Sequence, residues 1–251
     1  MPAAAGGRTF DCIIEAFQIV KLASPVVGVV GKMYVERGDV VHRGQIVGKL
    51  EDRVEAANLA LAKAKALDEY NSGAIRAHLD FLRSRQARTE QLAQRNFVTK
   101  AARDEAISDT HVAEQQLAGA DLSRRVAQIE VRHAQSLLDQ KLLRSPVDGV
   151  VTEILLRPGE YRNEQSPILT IAQVNPLRVE VFVPTRYYGQ IMPKMAATVM
   201  PEAPVGGTHP ATVSIVDRVI DAASGTFGVR LLMPNGAREV PAGLKCKVRF
   251  G

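Results

Sequence analysis

The sequence predicts an α+β, elongated multidomain chain: a small β-sandwich split by an inserted antiparallel α-helical coiled-coil hairpin, followed by a small β-barrel. Three observations carry this. The stretch "SPVVGVVGKMYVERGD" at 24–39 returns as "SPVDGVVTEILLRPGE" at 145–160, a shift of 121 residues without gaps. No proline lies between Pro25 and Pro146, and from Glu51 to Leu142 the only glycines are Gly73 and Gly119. From Val174 onward, short alternating runs separated by turn residues replace the helix formers.

Taken in order, residues 1–9 read as a disordered start, and "FDCIIEAF" at 10–17 alternates as a strand, so 10–18 is assigned to the barrel. Residues 19–51 and 143–173 are the two halves of the sandwich, each reading strand, turn, strand, turn, strand. Gly28, Gly38, Gly149 and Gly159 recur in register and are read as its turn glycines. Residues 52–142 are rich in Ala, Leu, Glu, Gln, Lys and Arg, the strong helix formers. They form two helices, because "RNFVTKAARDEA" at 95–106 breaks the pattern and places the tip near 95–103. Each helix of forty-odd residues would be a rod of roughly 60 to 65 Å.

In the second helix Ala106, Ala113, Ala120, Ala127 and Ala134 recur every seventh residue. Thr110, Leu117, Arg124, Val131 and Leu138 follow each by four, a seam of small and large members. The first helix is less regular: Val54, Leu61, Ile75 and Leu82 fit one stripe, which Asp68, Asn71 and His78 interrupt. A hairpin returns the chain to where it left, so the two half-motifs meet and close a sandwich that neither could close alone. Residues 174–251 supply the runs "LRVEVFV", "AATVM", "ATVSIV", "FGVRLLM" and "CKVRF", spaced as in a small barrel.

Composition narrows the function. The chain has 251 residues, no Trp and 5% aromatics, which suits thin modules better than one large core. Its net charge of +5 is spread among interleaved acids and bases, a solvated surface rather than a nucleic-acid footprint. No window reaches 18 apolar residues, and "MPAAAGGRTF" lacks the parts of a signal peptide. Two cysteines at opposite ends exclude a CxxC framework. His42, His78, His111, His133 and His209 form no pair at metal-ligand spacing. Met192, Met195 and Met200 admit a soft-metal site, with barrel packing the preferred reading. No catalytic set stands out, so the chain is read as no enzyme, without metal or cofactor.

The half-motifs "SPVVGVV...VERGDVVHRGQIVGKLE" and "RSPVDGVV...RPGE", with the later "VDRVIDAASGTFGVRLLMPN...VPAGLKCKVRF", resemble the periplasmic adaptor, or membrane fusion, proteins of tripartite efflux pumps. The similarity is closest to adaptors serving resistance-nodulation-division transporters. It implies that the split sandwich is lipoyl-like and that the protein is a non-catalytic subunit linking an inner-membrane transporter to an outer-membrane channel. It further implies self-association into a ring, as a hexamer or a trimer of dimers, a place in the periplasm at the inner membrane, and a part in multidrug resistance. No nucleic acid is expected as partner. The signal or anchor is expected to be absent from this chain, which reads as a short or trimmed adaptor.

Arg88, Leu92 and Thr99 match the family's tip motif of Arg, three residues, Leu, six residues, Ser, with Thr in place of Ser. The resemblance makes them the contact with the outer-membrane channel; without it, they read as an ordinary hairpin turn. Two rivals stand beside this reading: an adaptor of an ATP-driven exporter or type I secretion system, and a lipoyl or biotinyl carrier. The carrier needs an exposed lysine at the hairpin between the halves, where the coiled coil sits instead. Cys12 and Cys246 each lie on a strand assigned to the barrel, so they are expected to be neighbours, as a disulfide or as buried free thiols.

Overall fold

The computed structural model describes residues 8–67 and 70–251. The chain divides into two compact units, one made of the chain up to Glu51 with Leu142–Gly251, the other of Asp52–Lys141.

The first unit is all strand apart from one short 3-10 turn. In chain order its strands are β1 (Thr9–Leu22), β2 (Gly28–Met33), β3 (Val40–Val41), β4 (Ile46–Leu50), β5 (Leu142–Arg144), β6 (Gly149–Ile154), β7 (Tyr161–Arg162), β8 (Leu169–Pro184), β9 (Ala196–Pro201), β10 (His209–Asp221), β11 (Thr226–Met233) and β12 (Lys245–Phe250). The order β1-β12-β9-β10-β11-β8 returns to β1 through a β1–β8 pairing, so these strands form a closed ring. Its core is Ile14, Val179, Val181, Val199, Val229, Leu231, Val248 and Phe250 with their neighbours, the inward set of each alternating strand. Cys12 stands opposite Cys246 in register, and a disulfide joins them across 234 residues of sequence. Such a link constrains the unfolded chain and contributes roughly 2 to 5 kcal/mol.

The strand assigned to 10–18 is longer than that: β1 runs without interruption to Leu22. Thr9 to Ile13 pair with β12 and Cys12 to Leu22 with β8, the latter through a bulge between Ala16 and Gln18. Residues 1–7 of the expected disordered start lie outside the described residues, and Thr9 already opens β1.

The second core in this unit answers to the sequence repeat. Val30 and Val151, Val47 and Ile168, Leu50 and Ile171, Leu22 and Leu143, Val26 and Val147, Met33 and Ile154, and Val35 and Leu156 each stand 121 residues apart, and all pack into it. The backbone repeats as well. Gly38 N–H donates to Val151 O and Gly159 N–H to Val30 O, both at 2.8 Å. Asp39 accepts from Glu36 N–H just as Glu160 accepts from Arg157 N–H, again both at 2.8 Å. Gly28 pairs with Arg162 while Val41 pairs with Gly149, so each copy completes its ladder on the other.

The four repeated glycines do different jobs. Gly38 and Gly159 are turn residues at φ +97° and +93°, where an L side chain is strained. Gly28 and Gly149 instead open strands β2 and β6, correcting their reading as turns. Gly149 is required by space: a Cβ there would stand 2.4 Å from Ala172 O and 2.8 Å from Ile171 Cγ2.

The second unit is helical: α1 (Arg53–Ala66), α2 (Tyr70–Gln94) and α3 (Lys100–Asp139). The expected first helix is thus described as two segments; Asp68 and the side chain of Asn71 fall outside the described residues. On α3 the heptad positions Ala106, Thr110, Ala113 and Ala134 are buried, and Leu117, Val131 and Leu138 pack partly buried beside them. Arg124 is exposed, its long stem able to leave the seam for water.

The α1 stripe is different from the expected one. Val54 and Leu61 are 69% and 58% exposed, and Leu59 and Ala62 are buried against Ala134 instead. Alanines on several faces of "RVEAANLALAKAKA" blur its period, so spacing alone cannot choose a face. On α2, Leu79 and Leu82 pack on Ala113, and His78 is exposed. Cross-helix ion pairs Lys141–Glu55 (3.0 Å), Arg83–Glu114 (2.9 Å), Arg85–Asp109 (3.3 Å) and Arg103–Glu90 (2.6 Å) keep one antiparallel register from root to tip. Being partly exposed, each adds little stability; their use is to penalise slipped registers.

Candidate docking tip of the helical hairpin

The tip is narrower than the sequence suggested: α2 ends at Gln94 and α3 begins at Lys100, leaving residues 95–99 to turn the chain. Two capping devices make this possible. At the end of α2, Asn96 takes the left-handed conformation at φ 60°. Phe97 N–H then donates to Leu92 O at 3.0 Å and Asn96 N–H to Ala93 O at 2.9 Å, the paired closure of a Schellman motif. At the start of α3, Thr99 is the N-cap, its hydroxyl accepting from Ala102 N–H at 3.2 Å.

These devices place the three sequence-predicted residues. Arg88 and Leu92 lie one turn apart on the same face of α2. Leu92 is 43% exposed, because the adjacent Ala93 occupies the seam position following Leu79, Leu82, Gln86 and Thr89. Arg88 is exposed and joins no ion pair among the described residues. Thr99 is also exposed but is not idle: its hydroxyl is already engaged in the cap. Thus Thr in place of Ser keeps the group the turn needs.

One residue of the tip escaped the sequence reading. Phe97 is 74% exposed, two residues before Thr99, and follows the left-handed Asn96. An aromatic just past an αL residue was the available signal, since that position is held outside both helices. The tip therefore offers a cation, an aliphatic and an aromatic surface on a rigid, doubly capped turn. Apolar area of this kind, held without partners, is what a docking surface requires.

The caps yield a direct test. Thr99→Ala should destabilise the hairpin by about 1 kcal/mol, Thr99→Ser should match the parent, and Asn96→Gly should be neutral or slightly stabilising. Thermal melting followed at 222 nm checks this; equal melting of Thr99→Ala and Thr99→Ser would show that the cap is not formed.

No family model matches the chain. The macrolide export protein MacA of Yersinia pestis is 27% identical over 190 residues, covering 74% of this chain and 51% of that protein. The chain thus spans about half the length of this curated relative. Among solved structures, MacA from Actinobacillus actinomycetemcomitans superposes with a TM-score of 0.75 at 18% identity, over 97% of this chain and 78% of that one. A membrane fusion protein from Streptococcus pneumoniae R6 gives 0.63 at 14% identity, over 98% and 99% of the two chains. The likeness in these two structures is one of fold. In sequence and in fold, the chain resembles the adaptor, or membrane fusion, proteins.

Proposed function

We propose that this chain is the adaptor section of a tripartite efflux system, a non-catalytic periplasmic link between an inner-membrane transporter and an outer-membrane channel. The observation that supports this best is the division of labour along the chain. Two half-motifs, each finishing the other's ladder, flank in sequence an inserted hairpin whose capped tip presents Arg88, Leu92 and Phe97. In this reading, 19–51 and 143–173 form a lipoyl-like sandwich, 52–142 a coiled-coil hairpin, and 174–251 with the strand from 10–18 a β-barrel. The sandwich and barrel dock on the transporter and on neighbouring copies in a ring, and the tip meets the channel. The resistance-nodulation-division class of transporter is proposed on the half-motifs and the barrel pattern. No helix among the described residues is long and apolar enough to cross a membrane.

Photo-crosslinking in the native host tests the reading. A crosslinking residue at position 97 should capture an outer-membrane channel, and one at Tyr188, 46% exposed on the first unit, a transporter or a second copy. Capture of an ATPase-linked exporter would move the transporter assignment to the ATP-driven class. Absence of any channel adduct from the tip, with the protein in place and the pump active, would overturn the proposal.

A further inference from the structure

After β8 the chain makes a single 3-10 turn, Thr185–Tyr187, and Tyr187 is buried to 4% exposure at the margin of the ring's core. Its ring is held in place by Phe10, edge-on at 5.3 Å, and Phe10 packs in turn on Phe250 at 5.7 Å. Two arginines converge on this fixed ring. Arg8 Nη1 donates to the phenol oxygen at 2.5 Å, and the guanidinium carbon of Arg186 lies 5.1 Å from the ring centroid. Both arginines are exposed, so neither is sealed into the core.

What singles out this pair is that both guanidinium groups bear on one buried tyrosine with no counter-charge beside them, whereas Arg178 and Arg230, elsewhere on this unit, are matched to Glu15 and Glu180. Neither Arg8 nor Arg186 has a carboxylate within ion-pair distance among the described residues, and residues 1–7 contain no acid at all. Burial pushes the Tyr187 phenol up, yet hydrogen bonds and charge from Arg8 and Arg186 outweigh it and leave the group below its ordinary value. The local field is therefore positive.

The hydrogen bond and the cation–π contact each favour a guanidinium at this ring, but two like charges drawn to one tyrosine repel each other, and an anion between them relieves that repulsion. Each guanidinium carries five N–H donors in a planar fork, and one bond to a phenol leaves most of Arg8's unused. Forks from two directions suit an anion with several acceptor oxygens, which a tetrahedral phosphate supplies. We propose that Arg8, Arg186 and Tyr187 form a binding site for a phosphate group. The site lies on the first unit, shares no residue with the tip, and does not depend on the adaptor reading.

The full chain is titrated with inorganic phosphate at constant ionic strength, following the arginine side-chain NMR signals. Saturable shifts confined to Arg8 and Arg186 are expected, with acetate producing none. Arg8→Gln and Arg186→Gln should each weaken binding by about tenfold or more while the melting curve stays unchanged. Arg186→Gln lies outside every strand and gives this reading alone should Arg8→Gln disturb β1. Flotation with phosphatidylglycerol vesicles, lost in the double variant and absent with phosphatidylcholine, would assign the phosphate to a lipid headgroup. Phosphate binding without flotation would assign it to a soluble phosphate ester. Non-saturable shifts, an equal response to acetate, or undiminished binding by the double variant would overturn the site and leave only a surface stack of arginine on tyrosine.

Discussion

Gly149→Ala is expected to destabilise the strand unit by about 3 kcal/mol or more, at or beyond the upper end of the usual cost of overpacking. The added methyl has nowhere to go. Its carbon would stand 2.4 Å from Ala172 O and 3.0 Å from Ala172 C, both backbone atoms of β8 that no rotamer change can remove. Relief requires β6 to move away from β8, breaking the Val150–Ala172 and Val151–Ile171 register. Since β8 also carries the ring's Val179, Val181 and Val183, the damage reaches both cores of the unit.

Gly159→Ala is the control, because it sits in the same half-motif with nothing within 4 Å and only its φ of +93° to oppose a side chain. That conformation should cost roughly 1 to 2 kcal/mol. Urea unfolding of the three proteins decides the matter. If Gly149→Ala costs no more than Gly159→Ala, close packing at β6 is not what retains the glycine.

The contrast also shows what a sequence repeat can and cannot convey. The shift of 121 identified positions that do equivalent work, since Val30/Val151, Val47/Ile168 and Leu50/Ile171 are buried in one core. Burial demands the same residue type in both copies, so the pattern survives in the letters. Where the copies diverge, the letters mislead. Val41 is buried, but its counterpart Arg162 is also buried, at 4% exposure, with its guanidinium donating to the carbonyls of Val26 (3.1 Å), Glu164 (3.0 Å) and Ser166 (3.3 Å). Two of these carbonyls lie within four residues of Arg162, but that of Val26 is 136 residues away, and no local pattern announces that folding will bring it to a buried charge. Likewise Gly48 replaces the side chain of its counterpart Leu169, because Met33 Sδ would lie 2.7 Å from a Cβ there.

The path of β1 was also beyond sequence reading. "FDCIIEAF" shows alternation, but its continuation through Leu22 depends on partners some 150 residues away, in the Gln18–Gln173 to Leu22–Leu169 register. Long-range register leaves no trace in a window of neighbours. At the tip the situation reverses. Asn96 and Thr99 are local devices, one supplying a left-handed turn and the other a cap, and local devices are legible. Phe97 was legible only in part: its place just past Asn96 marks it as outside both helices, but its exposure is decided by the direction in which the turn aims it.

If the proposed adaptor reading holds, Leu92→Asp abolishes export in the native host while leaving both units folded. The folding cost is small for a definite reason: Ala93, not Leu92, follows the buried seam of Leu79 and Leu82, and Leu92 is already 43% exposed. The new carboxylate would stand in the last turn of α2, an unfavourable place for a negative charge, at a cost of roughly 0.3 to 1 kcal/mol. The docking cost is larger. Burying a leucine at an interface contributes about 1.5 to 3 kcal/mol, and the aspartate would replace that gain with a desolvation penalty. Leu92→Asn separates the two effects, since it removes the apolar surface without adding charge to the helix end. On the proposed reading both variants lose drug export, Leu92→Asp the more completely, and Arg88→Ala weakens it less. Susceptibility assays in a strain lacking the parent protein, run beside circular dichroism of the purified variants, supply the measurement. Full export by Leu92→Asp would remove Leu92 from the channel contact, and a collapsed helical signal would show that its role is to close the turn.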